Sequence, residues 1–184
     1  RKIELKYDTY LKNELIGEDG VITGKRIVIC NNAKVPDVIN GNVEIYGNYT
    51  LAKDVQIKGS LYLHGSQFDL SGYTLTVDGD TTSYDSTINL NKGTYNNNGN
   101  FSVGNYSRLN IVNSEDKLNV QKNFSFLNSS YYYTSQITSG KINIKGNCII
   151  DSGYLRPSGE NEIIFSGEKK QEVKVTNTSS YLNK

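Results

Sequence analysis

The sequence predicts an all-β fold of the parallel β-solenoid (β-helix) class, and two observations carry this prediction. The first is a recurring motif, apolar-x-apolar-x-Gly followed by Asn, Asp or Ser, whose copies are separated by 20, 20, 23, 24 and 21 residues. A repeat of this length indicates one supersecondary unit stacked on its neighbours. The second is apolar alternation with a period of two, which is typical of strands. The glycine-equivalent positions of the motif are Gly59, Gly79, Gly99, Lys122, Gly146 and Gly167.

Residues 1–19 do not fit the repeat and are predicted to form an N-terminal lead-in or cap. Asp8 or Thr9 is a suitable N-cap for a short helix that would end at Gly17. Such a helix would cover the open edge of the first coil, as a solenoid requires for solubility. The alternative is an irregular lead-in strand built on Lys2 to Leu5. The sequence leaves both alternatives open.

Residues 20–184 are predicted to form one continuous repeat array of about seven to eight coils, with a period of about 18–24 residues. The short apolar runs are bounded by Gly, Asn, Asp or Ser, which tolerate the left-handed backbone of a sharp corner. A second series of apolar steps falls between the motif copies, so each coil is expected to contain two or three strands. This series comprises Ile45, Leu63, Ile88 with Leu90, and Leu109 with Ile111.

Polar residues beside the corners are expected to stack and hydrogen-bond from coil to coil, and they occur at Asn48, Ser60, Asp80, Asn100 and Asn147. Two departures from the motif, Lys122 at a corner and Asn97 at an inward position, predict irregular coils. Longer interruptions at 128–135 and 153–159 are predicted to be neighbouring insertions, because insertions in solenoids form loops on one face.

Composition and charge argue against several classes of partner. The net charge is +1, from 20 basic and 19 acidic residues, so no nucleic-acid partner is expected. No run of 18 apolar residues occurs, so no membrane insertion is expected. With one histidine and two distant cysteines, Cys30 and Cys148, no metal or other cofactor is expected. Because the chain lacks methionine, we expect a processed chain or a fragment. The repeat runs almost to the last residue, which favours a fragment whose partners include flanking domains of a longer parent chain.

The string from Leu70 to Asp80 resembles a repeat found in very large secreted or surface-anchored proteins of Gram-positive bacteria. That repeat reads Leu-x-Gly-x-Thr-Leu-x-Val-x-Gly-(Asn/Asp), and here the string is LSGYTLTVDGD. The segments 117–124 and 140–147 follow the same spacing of apolar residues, and the segment 162–173 resembles the one that closes such modules. The resemblance therefore spans about residues 58–175. It implies an extracellular or cell-surface, adhesin-like β-solenoid with no assigned catalytic residues.

An enzymatic function is not expected. Parallel β-helices also include polysaccharide lyases and glycosidases. The hydrolases need two carboxylates about 5–10 Å apart, which in a solenoid means acids one period apart. Asp78 and Asp80 instead have asparagine at the equivalent positions one coil later. For a lyase, which needs a charge-neutralising cation, the candidates are Arg108 and Arg156, two of the four arginines.

The strongest binding signal is aromatic, since the chain contains 14 tyrosines and no tryptophan. Tyrosine offers a flat apolar face and a hydroxyl, which suit sugar rings or protein partners. The alternative is that the tyrosines simply cover the sheet as good strand formers. The sequence therefore predicts a non-catalytic structural or adhesive module that presents loops to a surface glycan or protein receptor, or a carbohydrate-binding β-helix. The candidate ligand-binding residues are Tyr131, Tyr132, Tyr133, Tyr154 and Arg156.

Overall fold

A computed structural model describes residues 2–11, 20–31, 33–127, 134–151, 155–176, 180 and 182, and every regular element within them is a strand. The predicted class, an all-β parallel β-solenoid, is confirmed, with about seven turns. The strands are β1 (Lys2–Glu4), β2 (Thr9–Leu11), β3 (Val21–Cys30), β4 (Val38–Thr50), β5 (Val55–Ile57), β6 (Leu61–Asp69), β7 (Thr74–Val77), β8 (Thr81–Tyr84), β9 (Thr87–Asn89), β10 (Thr94–Asn97), β11 (Phe101–Val103), β12 (Arg108–Asn110), β13 (Lys117–Val120), β14 (Phe124–Phe126), β15 (Lys141–Ile144), β16 (Cys148–Ile150), β17 (Glu162–Phe165) and β18 (Val173–Val175).

Each coil runs through three faces, and equivalent strands of successive coils pair in parallel. The first face stacks β1, the first parts of β3 and β4, then β5, β7, β10, β13, β15 and β17. The second face stacks β2, later parts of β3 and β4, the start of β6, then β8, β11, β14, β16 and β18. The third face stacks the ends of β4 and β6, then β9 and β12, and continues through the bridge between Ile111 and Ile137.

The second predicted series of apolar steps divides between two faces. Ile45 pairs with Leu63 on the second face, whereas Ile88 pairs with Leu109 on the third. The interpretation as one series is therefore wrong, because strands on all faces share the period of two and periodicity alone cannot separate them. The expectation of two or three strands in each coil is met by the three faces.

The N-terminal lead-in is a strand where the structure describes it. Strand β1 pairs with residues 21–23, and β2 pairs with residues 27–29. The predicted helix starting at Asp8 or Thr9 is therefore wrong for residues 9–11, because the free edge of β3 supplies their backbone hydrogen-bonding partners. The alternative, a strand built on Lys2 to Leu5, is correct for Lys2–Glu4. The rest of the predicted helix lies outside the described residues.

The core consists of columns of inward side chains, one from each coil. On the first face, Leu75, Tyr95 and Leu118 occupy one column and are all fully buried. On the second face, Phe101 stacks on Phe124 with ring centroids 6.0 Å apart, and it contacts Tyr95 edge-on at 5.2 Å. The aromatic rings therefore connect adjacent coils and also join the first face to the second.

A polar cluster replaces aliphatic packing between two adjacent coils. Asn97 is fully buried and aligned with Val77 and Val120. Its side-chain oxygen accepts a hydrogen bond from the Thr81 hydroxyl at 2.6 Å, which also lies 2.8 Å from the hydroxyl of Tyr95. The expectation of an irregular coil at Asn97 is wrong, because these hydrogen bonds satisfy the buried amide and the strand keeps its pairing on both sides. Burial raises the pKa of Tyr95.

The glycines that follow the first-face strands are required by close contact between coils. The Gly79 N–H donates to the Gly59 carbonyl oxygen at 2.9 Å, and a Cβ added at Gly99 would lie 2.3 Å from the Gly79 carbonyl oxygen. The backbone at Gly59, Gly79 and Gly99 is not left-handed, so the predicted reason for a glycine is wrong at these three positions. At Lys122 the corner keeps its place in the stack, since its carbonyl oxygen accepts the Gly146 N–H at 3.0 Å. The expected irregularity there is also wrong.

Left-handed backbone occurs instead at the two other corners, between the second and third faces, as at Gly65, and between the third and first faces. Ser71 and Gly72 have φ of 49° and 85°, and Asn91 and Lys92 have φ of 44° and 69° one coil later. A glycine or a short polar residue adopts this conformation at low cost, whereas lysine does so only where its surroundings fix it. The predicted corner chemistry therefore applies to these two corners.

We expect Gly99→Ala to lower the free energy of unfolding by about 1–3 kcal/mol, because the added methyl group must displace the neighbouring coil. Gly65→Asn is the matched control: φ there is 54°, and among the described residues no heavy atom lies within 4 Å of an added Cβ. Asparagine tolerates left-handed backbone, so this control is expected to change stability little. Urea unfolding measures both variants, and equal destabilisation would contradict the close-contact explanation.

Side-chain oxygens form a ladder along the corner that follows the first face. Each oxygen accepts a hydrogen bond from the backbone N–H of the equivalent residue in the next coil. The Asp80 N–H donates to Ser60 Oγ at 3.1 Å, and the Asn100 N–H donates to Asp80 Oδ1 at 2.7 Å. The ladder continues with the N–H donors of Asn123, Asn147 and Glu172. The predicted rungs at Ser60, Asp80, Asn100 and Asn147 are confirmed. Asn48 belongs to another corner, where its N–H donates to Asn31 Oδ1 at 3.2 Å.

Both cysteines are free thiols in different environments. Cys148 is buried, and burial raises the pKa of its thiol to about 11. Cys30 is half-buried. We expect an alkylating reagent at pH 8 to modify Cys30 first and Cys148 only after denaturant is added, because the thiolate is the reactive species. Mass spectrometry of the peptides measures the order, and equal rates in the folded protein would contradict the burial of Cys148.

Candidate binding face

Most of the predicted ligand-binding residues belong to parts of the chain that the structure does not describe. Tyr131, Tyr132, Tyr133 and Tyr154 lie outside the described residues, so their role stays a prediction. Arg156 is described and exposed. The Ser158 N–H donates to the Ile137 carbonyl oxygen at 2.8 Å, which continues the stacking of Ile137 on Ile111. This register places Arg156 on the third face, one coil beyond Gln136.

The third face carries a polar groove. The groove has a volume of about 440 Å³, and its lining residues are Gln67, Thr87, Asn89, Arg108, Asn110, Thr134 and Gln136. A smaller groove of about 260 Å³ adjoins it, lined by Asp69, Asn89, Asn91, Asn110, Val112 and Asn113. Because the two grooves share Asn89 and Asn110, they form one polar surface along this face.

The strand alternation of the third face builds this surface. Ile88 and Leu109 point inward and are fully buried, so the residues on either side of each point outward. Parallel pairing then aligns the outward residues in two columns. One column runs through Gln67, Thr87 and Arg108, and the other runs through Asp69, Asn89 and Asn110.

Hydrogen bonds hold the amides of the second column in place. Asn110 Nδ2 donates to Asn89 Oδ1 at 2.8 Å, and the Gln136 N–H donates to Asn110 Oδ1 at 3.1 Å. At the start of the column, Asp69 accepts hydrogen bonds from the Ser71 N–H at 2.7 Å and from Asn91 Nδ2 at 3.3 Å. The result is an ordered row of amides beside the Arg108 guanidinium, which can hydrogen-bond to a hydroxyl-rich ligand.

Exposed tyrosines lie at the corner between the second and third faces. Tyr84 and Tyr106 are 51% and 44% exposed, and their rings meet edge to face with centroids 6.2 Å apart. Tyr84 is aligned with His64, whose ring stacks on Tyr46 at 5.3 Å. Because the faces of Tyr46 and His64 are used against each other, this pair fits the interpretation of aromatic residues as sheet-covering strand formers.

A buried carboxylate, Asp116, is structural. It is fully buried, and its Oδ1 accepts the Lys92 N–H at 2.6 Å. Its Oδ2 accepts the N–H groups of Val112 and Asn113 at 2.7 and 2.9 Å. Asp116 therefore holds the segment between β12 and β13 against the corner of the preceding coil.

The aligned strand positions contain no pair of carboxylates in adjacent coils within the described chain. Glu162 is aligned with Lys141 at an ion-pair distance of 3.1 Å, and Asp69 is aligned with Asn89. The described residues also contain no group of three His, Cys, Asp or Glu side chains that could hold a metal ion.

The first coils are joined by an ion pair between Arg26 and Glu44. The guanidinium contacts both carboxylate oxygens, at 2.6 and 2.7 Å, and the Tyr46 hydroxyl donates to the same carboxylate at 3.2 Å. Asp8 lies 3.4 Å from Arg26 on the outer side. Hydrogen bonding to Arg26 lowers the pKa of Glu44, and the same contact raises the pKa of Arg26.

The ion pair predicts a pH dependence of stability. Because the pKa of Glu44 is lowered in the folded state, its contribution is complete above the ordinary value of 4.5 and is lost as the pH falls through the lowered value. We expect the difference in unfolding free energy between the unmodified protein and Arg26→Gln to be constant near neutral pH and to shrink below pH 4.5. Urea unfolding across pH measures it. In a Glu44→Gln background, the loss of unfolding free energy caused by Arg26→Gln should vary much less with pH. If it varies with pH as strongly as it does when Glu44 is present, the assignment to Glu44 is contradicted.

Comparison of the chain with known protein families, with characterised proteins and with solved structures finds no match. Within the described residues, no helix is long and apolar enough to cross a membrane.

Proposed function

We propose that the chain is a non-catalytic structural and adhesive module of a bacterial extracellular or cell-surface protein. In this proposal a stiff stack of coils carries loops and a binding face at a distance from the point of attachment. The observation that carries the proposal is the ladder of side-chain oxygens that passes from coil to coil, from Ser60 as far as Glu172. These side chains form hydrogen bonds between neighbouring coils, and the bonds stiffen the stack.

Two further observations support this function. The resemblance of residues 58–175 to repeats of large surface proteins implies the location and the adhesive role. In the part of the chain that the structure describes, no strand residue with a carboxylate is aligned with another in the next coil, which favours a module without hydrolytic chemistry.

The test couples the chain to beads and measures their binding to arrays of glycans and extracellular-matrix proteins, with albumin-coated beads as the control. Binding above the control is expected. The same protein is incubated with a panel of polysaccharides, whose chain lengths are expected to stay unchanged. Absence of binding to both arrays contradicts the adhesive role, and shortening of any polysaccharide contradicts the non-catalytic role.

A second function, carbohydrate binding, is favoured by the polar groove of the third face. Its volume of about 440 Å³ lies within the range of ligand sites, and its amide, hydroxyl and guanidinium groups suit sugar hydroxyls. The tyrosines at 131–133 and 154 remain the proposed aromatic contacts. We expect binding on a glycan array that is weakened by Asn110→Ala and by Tyr132→Ala. Unchanged binding in both variants would contradict this function.

A further inference from the structure

We propose that the groove on the third face binds an acidic glycan, with Arg108 and Arg156 as the contacts for its carboxylate groups. This inference rests on the carbohydrate-binding function proposed above and specifies the class of glycan. It also gives a role to two arginines that sit on different coils and that the register brings to the same face.

The register of the third face relates the two arginines. Arg108 lies on β12, and the pairing of Ile111 with Ile137 advances the face by one coil. The hydrogen bond from the Ser158 N–H to the Ile137 carbonyl oxygen advances it by one more coil. Arg108 and Arg156 are therefore two stacking intervals apart along the solenoid, or about 10 Å, and they belong to the two neighbouring columns of outward residues.

The described residues that line the larger groove with Arg108 are rich in hydrogen-bonding groups. Among the described lining residues, Arg108 carries the charge and the others carry amides or hydroxyls. The nearest carboxylate of the amide column, Asp69, belongs to the smaller groove and already accepts hydrogen bonds from Ser71 and Asn91. The larger groove therefore combines a positive charge with a neutral polar floor.

A guanidinium binds a carboxylate through two parallel N–H···O bonds, which gives both strength and orientation. The row formed by Asn89, Asn110 and Gln136 offers amide and backbone groups that pair with hydroxyls. A ligand that uses both kinds of group carries carboxylates and hydroxyls along one chain, as a polyuronate does. Nucleic acid fits this face less well, because its binding is dominated by many phosphate contacts and the chain as a whole has a net charge of +1.

The experiment measures binding of the whole chain to alginate, a linear polyuronate, and to neutral dextran by isothermal titration calorimetry. We expect binding to alginate and not to dextran. Arg108→Gln and Arg156→Gln should each weaken alginate binding, and the double variant should weaken it by about tenfold or more, since hydrogen bonds to charged groups are the stronger ones. Lys122→Gln is the matched control, because it removes the same charge from an exposed corner away from the third face and is expected to leave binding unchanged.

Four outcomes would overturn the inference. These are no binding of alginate, an equal loss in Lys122→Gln, binding of dextran as tight as that of alginate, and binding of an acidic peptide but not of alginate. Binding of dextran that the double arginine variant leaves unchanged would retain the carbohydrate-binding function and reject the acidic class alone. Urea unfolding of each variant shows whether it is folded, and Arg108→Lys, which keeps the charge, should retain part of the affinity if Arg108→Gln proves unstable.

Discussion

Phe101→Ala is expected to lower the free energy of unfolding by about 3–5 kcal/mol. The ring is fully buried, lies face to face with Phe124 at 6.0 Å and meets Tyr95 edge-on at 5.2 Å. In a solenoid each coil contacts only its neighbours, so no distant part of the chain can fill the cavity. Urea unfolding followed by circular dichroism measures the loss.

Ser102→Ala is the matched control for this prediction. Ser102 is the next residue along β11 and is half-buried on the outward side of the strand. Its substitution is expected to change stability by less than about 0.5 kcal/mol, as is usual for surface positions. If Phe101→Ala destabilises the protein no more than Ser102→Ala does, Phe101 does not connect the coils as described.

Asp116→Ala is expected to lower the free energy of unfolding by about 3–5 kcal/mol. It removes the acceptor of three backbone N–H groups, those of Lys92, Val112 and Asn113, at 2.6, 2.7 and 2.9 Å. Each buried donor that loses its acceptor costs about 1–3 kcal/mol, and the relaxation of the segment recovers part of the sum. The same urea measurement gives the value.

Two variants control for the loss of charge and of side-chain volume. Asp116→Asn keeps one side-chain oxygen as an acceptor, so its effect should be intermediate. Glu115→Ala removes an adjacent carboxylate that is 59% exposed and should have little effect. Similar losses for Asp116→Ala and Glu115→Ala would mean that Asp116 does not hold this corner.

The fold could be predicted because the strongest constraint on it is visible in the sequence. Stacked coils approach so closely at the first corner that Gly79 and Gly99 leave no space for a side chain, which fixes a glycine at a regular interval. The polar residue after each of these glycines then bonds to the next coil. At Ser71 and Asn91 the constraint is a left-handed backbone, which several residue types can adopt. The residue type therefore varies from coil to coil, and the repeat is not visible in the sequence at this corner. The strands of the third face could therefore not be distinguished from those of the second face by their sequence pattern.

The candidate binding face could be predicted only in part. Arg108 and Arg156 stand out in the sequence because arginine is rare in this chain, but their common face emerges only from the register of the coils. Outward polar residues beside Ile88 and Leu109, such as Asn89 and Asn110, were the available signal for the groove. Asp116 gave no signal, since a corner acid is ordinarily exposed and only the fold reveals its burial.

The central claim is the parallel, in-register stacking of coils, and disulfide cross-linking tests it most directly. Asn96 and Asn119 are aligned in adjacent coils, and Asn119 Nδ2 donates to Asn96 Oδ1 at 2.8 Å. Their Cα atoms should therefore be about 4.8 Å apart, within the range that a disulfide spans. Asn143 is aligned one coil further, about 10 Å from Asn96, which is beyond that range.

The measurement is the yield of disulfide under mild oxidation in a background of Cys30→Ser and Cys148→Ala. The pair Asn96→Cys with Asn119→Cys is predicted to oxidise nearly completely, and the pair Asn96→Cys with Asn143→Cys to stay reduced. Equal yields for the two pairs, or no bond in the first, would contradict the stacking.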